Sequence, residues 1–507
     1  MTASWRQRTF RRLDMFALRW QARLEGNAVD RSAPWIVSAL LFVLLVSLAL
    51  ARSRSLDAGT DLALYAQSVW LIGEGFEPVS SLFGGNVLSK NVSLMLYPVA
   101  TVTSVLPTVT TLLVIQSLAL AMGVVPIWRI ARQVTDLRFG ATAAVVFAYS
   151  MFSAVHNINL ADFHPEVIAL PALLWAMFYG LTGRWFRFVM LVLVVMAARA
   201  DLGLAIAGLG VLLVVEGRRR MGWLTAIVGL GWALVAIFSI QPDLADGTAP
   251  QVAAFSDFGT ESELDVLKGF ITNPFDFLGK LGSRDNFATI IALLAPVLFL
   301  PVVAPRYLLP AVPLYALYLV ADVPAGDLAE APQAIPITAF IFVATLFALK
   351  RSGTVRVERV NVDRRLLWAL VFTASVFFVR DSGSSPYERP WSWGSRDATD
   401  QARHAAVELI PDDGAVRASP RLLPLLFERE RLFVLDTSAD EPDEQAAIDR
   451  VDWLIVDLTE APQWTSLEVA QLDIGLGTES WLRISRSEGI LVYRRCEPGN
   501  RVDDVCN

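Results

Sequence analysis

Most of the chain alternates long apolar runs with short polar breaks. Examples are Trp35–Leu50, Ala141–Val155, Val189–Ala198, Trp223–Ile240, Phe287–Val303 and Leu366–Val379. A bilayer core takes roughly 20 mostly apolar residues per helix, fewer when polar ends snorkel. On that rule the pattern predicts about 11 membrane-crossing helices. They lie near residues 34–51, 109–128, 139–155, 166–182, 185–198, 201–215, 221–240, 287–304, 306–321, 334–349 and 366–379. Residues 92–108 are apolar but contain Pro98 and Pro107. They are expected to form an interfacial helix pair rather than a span.

After residue 380 the pattern shortens. Helices are expected at 398–410, 421–427 and 444–450, and strands at 414–418, 431–435 and 452–458. A hairpin follows over 481–485 and 489–494. Strands alternating with helices imply a mostly parallel sheet. The predicted fold is therefore an α-helical polytopic membrane protein with a small C-terminal α/β domain. The expected divisions are a basic amphipathic tail over 1–33, a transmembrane domain over 34–379 whose first outer loop is 52–108, and the α/β domain over 380–507.

Composition agrees, and charge adds an orientation. The 507 residues are 54% apolar and 18% charged, where soluble chains average about 45–50% and about 25%. Residues 1–379 carry 29 Lys+Arg and 25 Asp+Glu, whereas 380–507 carry 14 and 25, within a total of −7. Alternate loops divide their Lys and Arg 22 to 7, with the N-terminal tail in the richer set. The positive-inside rule then predicts a cytoplasmic N-terminus and an extracytoplasmic tail domain. The first apolar run follows too long a basic stretch for a cleavable signal. Trp5, Phe10, Leu13, Phe16 and Trp20 among arginines suit either a helix on the cytoplasmic leaflet or a solvated tail. Cys496 and Cys506 are the only cysteines, and both pairing and free thiols stay open. No phosphate-binding loop pattern supports ATP-driven transport.

Three polar clusters fall on the predicted outer side. Asp61 and Tyr65, and Gln67 and Trp70, are helical neighbours. They suggest a short interfacial helix with Asp57 or Thr60 as its N-cap. Asp61 is either a first-turn carboxylate favoured by the helix dipole or a functional acid. His156, Asn157, Asn159, Asp162, His164 and Glu166 form the second cluster, with Pro165 expected at a helix start. Asp162, His164 and Glu166 could hold a divalent cation (Mg2+ or Mn2+) or form a hydrogen-bonded cap network; no fixed ligand spacing is matched. Arg199 and Asp201 interrupt an apolar stretch. They pair with each other, or Arg199 receives an anionic group. His404 in the tail is expected to be exposed, and the loops 241–286 and 321–333 to be solvated connectors or a lid.

The clusters together resemble an uncharacterised bacterial family of polytopic membrane proteins related to GT-C glycosyltransferases. Asp61-Leu-Ala-Leu-Tyr65-Ala66-Gln67-Ser-Val-Trp70 is similar to its D-L-G-I-Y-D-Q-x-V-W pattern. Asn159…Asp162-Phe163-His164-Pro165-Glu166 matches N-x-x-D-F-H-P-E, and Arg199-Ala200-Asp201-Leu-Gly203-Leu204 is similar to K-E-D-x-G-L. Leu106-Pro107, Gln116 and Ala131-Arg132 match further blocks. Lys90-Asn91 stands where the family has an acid and a histidine, and Ala66 and Ala200 replace acids.

The resemblance implies a GT-C-like fold in the bacterial plasma membrane and sugar transfer from a polyprenyl-phosphate donor to a cell-envelope acceptor. It places Asp61 as the catalytic base. Tyr65, Gln67, Trp70, Asn91, Asn159, Arg199 and Asp201 would bind substrate, with Arg199 on the leaving phosphate. Asp162, His164 and Glu166 would be the metal ligands. The implied partners are membrane lipid and the lipid-linked sugar donor, with no nucleic acid. A lipid or solute transporter and a non-catalytic envelope scaffold are the alternative readings; polar groups at one face rather than the midplane disfavour transport.

Overall fold

A stretch as apolar as residues 35–50 has only one stable form in lipid, a helix with every backbone group bonded internally. In the computed structural model it is helix Asn27–Arg54. The structure describes residues 24–57, 59–321, 333–356, 359–435, 451–460, 481–496, 501–502 and 505–506. Residues 1–23 of the expected amphipathic tail, the 444–450 helix and most of the 321–333 connector lie outside these residues, while tail residues 27–33 belong to helix Asn27–Arg54.

Among the described residues, seven helical segments are long and apolar enough to cross a membrane: Asn27–Arg54, Thr108–Gln133, Phe139–Leu160, Pro165–Thr182, Arg219–Leu244, Ala334–Ser352 and Arg364–Ser392. Two expected spans form shorter apolar helices, Trp185–Ala198 and Leu202–Val215. The spans expected at 287–304 and 306–321 do not form continuous helices. Helix Arg284–Leu294 gives way to 3-10 turns at Ala295–Val297, Leu300–Val303, Pro305–Tyr307 and Leu309–Ala311 before helix Val312–Val320. Pro296, Pro301, Pro305 and Pro310 explain this, because proline removes a helical donor and clashes with the preceding turn.

Helix Ala334–Ser352 is buried on every side from Ala334 to Leu349, as a helix apolar all round should be. Outlying helices instead expose apolar side chains, among them Trp35, Leu40, Trp223, Ile227, Trp368 and Phe372. In water such faces would be liabilities; in lipid they are the solvated surface. Leu202–Val215 and Arg219–Val235 form a tight hairpin. A Cβ on Gly203 would sit 2.5 Å from the Gly229 carbonyl oxygen. Small residues give lipid-embedded helices this close approach.

The loop after the first span carries helix Thr60–Gly73 and helix Leu96–Thr103; the expected pair over 92–108 is the single helix Leu96–Thr103. The cap differs: Gly59 stands at the N-cap, with no side-chain cap of its own. The segment expected as a solvated connector is folded too. It forms a 3-10 helix at Pro250–Phe255 and helices Glu263–Thr272 and Pro274–Leu281, packed around Val252, Phe258 and Val266.

The C-terminal sheet contains β1 (Val416–Ala418), β2 (Leu432–Val434), β3 (Trp453–Asp457), β4 (Trp481–Ser487) and β5 (Ile490–Arg495). Their order is β2-β1-β3-β5-β4. Val416 pairs in parallel with Leu432 and with Trp453. The β4–β5 hairpin adds antiparallel pairings, so the sheet is mixed rather than mostly parallel. Helix Ala398–Glu408 forms as expected, while 421–427 tightens to a 3-10 helix at Pro420–Leu425. His404 is half-buried rather than exposed, and burial lowers its pKa. Cys496 is disulfide-bonded.

Candidate functional site

Asp162 shapes the first part of the site. It holds a left-handed backbone (φ 40°), a conformation that Asp tolerates better than most residues. Its carboxylate accepts hydrogen bonds from Gly59 N (3.0 Å) and Leu62 N (3.3 Å). Asp162 thus caps helix Thr60–Gly73 from 100 residues away in the chain. Burial raises its carboxyl pKa, against the pull of the two amides.

Capped in this way, the helix presents Asp61, whose side chain is 43% exposed. Lys90 Nζ lies 3.4 Å from Asp61 Oδ1, and His164 Nε2 lies 3.9 Å from Oδ2. One turn on, Tyr65 is buried between these groups. Its ring meets His164 edge-on at 6.0 Å, and Lys90 lies 5.9 Å from its centre. Burial and then the charges of Glu166 and Asp61 keep its hydroxyl well above the usual pKa; Arg199 and a hydrogen bond with Asn91 oppose them.

Behind Tyr65 is a buried ionic network. The chain is extended at Arg199, between helices Trp185–Ala198 and Leu202–Val215. Arg199 Nη1 donates to Glu166 Oε1 (2.9 Å) and Nη2 to Asp201 Oδ2 (2.8 Å). Tyr318 Oη donates to the same Asp201 oxygen at 2.7 Å. Asn91 closes the link, its carbonyl accepting from Ala200 N. Beside the network opens a cavity of about 350 Å³. Asn91, Arg199, Asp201 and Tyr318 form its polar end, and residues such as Phe238 and Phe270 line the rest.

The structure brings together Asp61, Tyr65, Asn91, His164, Glu166, Arg199 and Asp201. Asp162 adjoins them as the cap of helix Thr60–Gly73, but Gln67, Trp70 and Asn159 lie elsewhere. Gln67 is buried, and its amide donates to the Arg429 carbonyl (2.8 Å) while its oxygen accepts from Ser80. It ties the loop helix to the C-terminal domain. Trp70 packs into the apolar cluster around Leu96 and Leu112. Asn159 bridges spans, donating to the Leu45 carbonyl and accepting from Ser117. His156 is likewise a core residue, against Phe378.

The expected metal ligands do not fit a cation. Asp162 is committed to two amides and Glu166 to Arg199, while His164 faces Asp61. Among the described residues no group of three or more His, Cys, Asp or Glu could hold a metal ion.

Lys90 and Tyr318 belong to the site although sequence reasoning assigned them no role. Lys90 could have been found as a charge in the same loop as Asp61. Tyr318 gives no signal within its apolar stretch.

Fold and site together define a multi-pass membrane protein with the Asp61 cluster at one end of the bundle. The chain belongs to the family described as predicted membrane protein (DUF2079), whose model matches residues 52–486. No curated protein matches the sequence. Solved structures similar to it include ArnT from Cupriavidus metallidurans bound to undecaprenyl phosphate, at 11% identity and a TM-score of 0.49 over 92% of this chain and 99% of that one. The Archaeoglobus fulgidus oligosaccharyltransferase in its apo form is 11% identical, with a TM-score of 0.44 over 83% of this chain and 69% of that one. Oligosaccharyltransferase AglB from the same archaeon, with an inhibitory peptide and a dolichol-phosphate, is 11% identical, with a TM-score of 0.43 over 93% and 75%. Likenesses this distant carry no argument about activity.

Proposed function

We propose that this protein is a membrane glycosyltransferase, moving a sugar from a polyprenyl-phosphate donor to a cell-envelope acceptor at the outer face of the bacterial plasma membrane. The loop charge imbalance supports a cytoplasmic N-terminus and an extracytoplasmic C-terminal domain. The motif resemblance supports the reaction class. One observation carries the reading. Asp61 is a partly open carboxylate beside Lys90, and Tyr65 and Asn91 connect it to a largely apolar cavity with a buried, ion-paired polar end.

In the proposed reaction the acceptor hydroxyl gives its proton to Asp61. Its oxygen bonds to the anomeric carbon as the bond from that carbon to the donor phosphate breaks. The phosphate leaves with the electron pair, and Lys90 offsets its charge. Arg199 is already shared between Glu166 and Asp201; it forms the rigid floor of the site and leaves the charge of the phosphate to Lys90. The cavity receives the prenyl chain. No step needs a metal.

The test is Asp61→Asn, expressed in cells lacking the native protein, with envelope glycans read by mass spectrometry. Loss of a positioned general base should slow transfer roughly 10²–10⁴-fold. Wild-type glycan from a correctly folded Asp61→Asn protein would refute the assignment. Unchanged glycans on deleting the whole protein would refute the enzyme reading and favour a transporter or scaffold.

A further inference from the structure

A second polar feature lies at the opposite end of the first span. Helix Asn27–Arg54 is about 40 Å long at 1.5 Å per residue. The Asp61 site follows its C-terminus, and an open cleft of about 760 Å³ surrounds its N-terminus. The cleft is lined by Arg31, Arg129, Arg132 and Arg359, with Asp30 and Gln133 among them.

Arg132 is the anchor. It is 2% exposed. Its Nε donates to Asp30 Oδ1 (2.7 Å) and its Nη1 to the Leu137 carbonyl (2.8 Å), with Glu25 also 2.8 Å from Nη1. Its Nη2 is buried without a hydrogen-bond partner among the described residues. Arg359 packs against it, donating from Nη1 to the Arg132 carbonyl at 2.6 Å. Among the described residues, four guanidinium groups therefore face two carboxylates, Asp30 and Glu25. The surplus is two positive charges, beside the positive end of a long helix dipole. A planar fork with an unused donor suits the oxygens of a phosphate.

We propose that this cleft binds a phosphate group, held by Arg129, Arg132 and Arg359. Two sources share that chemistry: the headgroup of an anionic lipid, and a soluble phosphate compound. The site lies a bilayer's thickness from Asp61 and does not depend on the reading of that residue.

The experiment uses the full chain purified in neutral detergent. Phosphatidylglycerol binding is followed by native mass spectrometry and pyrophosphate binding by calorimetry. Arg129→Gln and Arg359→Gln should each weaken binding at least about tenfold, while Arg219→Gln, outside the cleft, should not. Binding of phosphatidylglycerol alone assigns a lipid headgroup, and binding of pyrophosphate alone assigns a soluble phosphate. Each supports the cleft. Binding of neither probe, or equal effects of all three substitutions, overturns it. The two cleft variants sit on different elements, so each is read independently of the other's folding.

Discussion

Replacing Asp162 by Ala separates a structural carboxylate from a metal ligand. The substitution removes acceptors from Gly59 N and Leu62 N, each worth about 0.5–1.5 kcal/mol net. It also puts a Cβ residue without a polar side chain at φ 40°, where left-handed backbone disfavours such residues by about 1–2 kcal/mol. Together the first turn of helix Thr60–Gly73 should lose about 2–5 kcal/mol of local stability. Hydrogen exchange in peptides covering residues 59–66 should then quicken at least roughly 30-fold, and up to roughly 4000-fold, at about tenfold per 1.4 kcal/mol. Asp162→Asn keeps one acceptor and tolerates the backbone, so it should show about half the free-energy effect. Unchanged exchange in Asp162→Ala would refute the capping role. So would a chelator that reproduced the Ala phenotype in the wild-type protein, because it would show a cation at that carboxylate.

Three other outcomes are expected. Arg199→Met strands the buried carboxylates of Glu166 and Asp201 and should lower stability by about 3–5 kcal/mol, seen as lost folded yield on size exclusion. Adding Glu166→Gln and Asp201→Asn should restore most of it. Gly229→Ala places a Cβ 2.6 Å from Ala207 N, so the helix pair must separate and the thermal midpoint in detergent should fall. An unchanged midpoint would show that the hairpin is not tightly packed. Burial raises the Glu460 carboxyl pKa, with Asp457 adding to the effect. The folded protein then takes up this proton before the unfolded chain does. That stabilisation is full below about pH 4.3 and is lost as pH rises through the raised value. Glu460→Gln should remove this component from a stability–pH profile.

The spans were legible because a bilayer enforces one simple rule, apolar length, and residues 35–50 or 334–349 obey it without help from distant contacts. Residues 287–320 broke the expectation because hydropathy ignores proline, and lipid-embedded backbone interrupted by Pro296, Pro301, Pro305 and Pro310 must fold into short turns. The site was legible as a set of misplaced charges but not as a set of partners. Spacing along the chain could pair Arg199 with Asp201. It could not bring in Glu166 or Tyr318, 33 and 119 residues away, or turn Asp162 toward Gly59. Those long-range partners decide the chemistry. Glu166 and Asp201 are committed to Arg199, and Asp162 caps a helix, so three of the four clustered carboxylates are held by fixed donors. Asp61 is left as the carboxylate whose contacts, Lys90 and His164, are long ones at 3.4 and 3.9 Å. A general base must be held in place and yet open to an incoming hydroxyl. Among these four, only Asp61 combines a fixed backbone, through the cap from Asp162, with a side chain free to accept a proton.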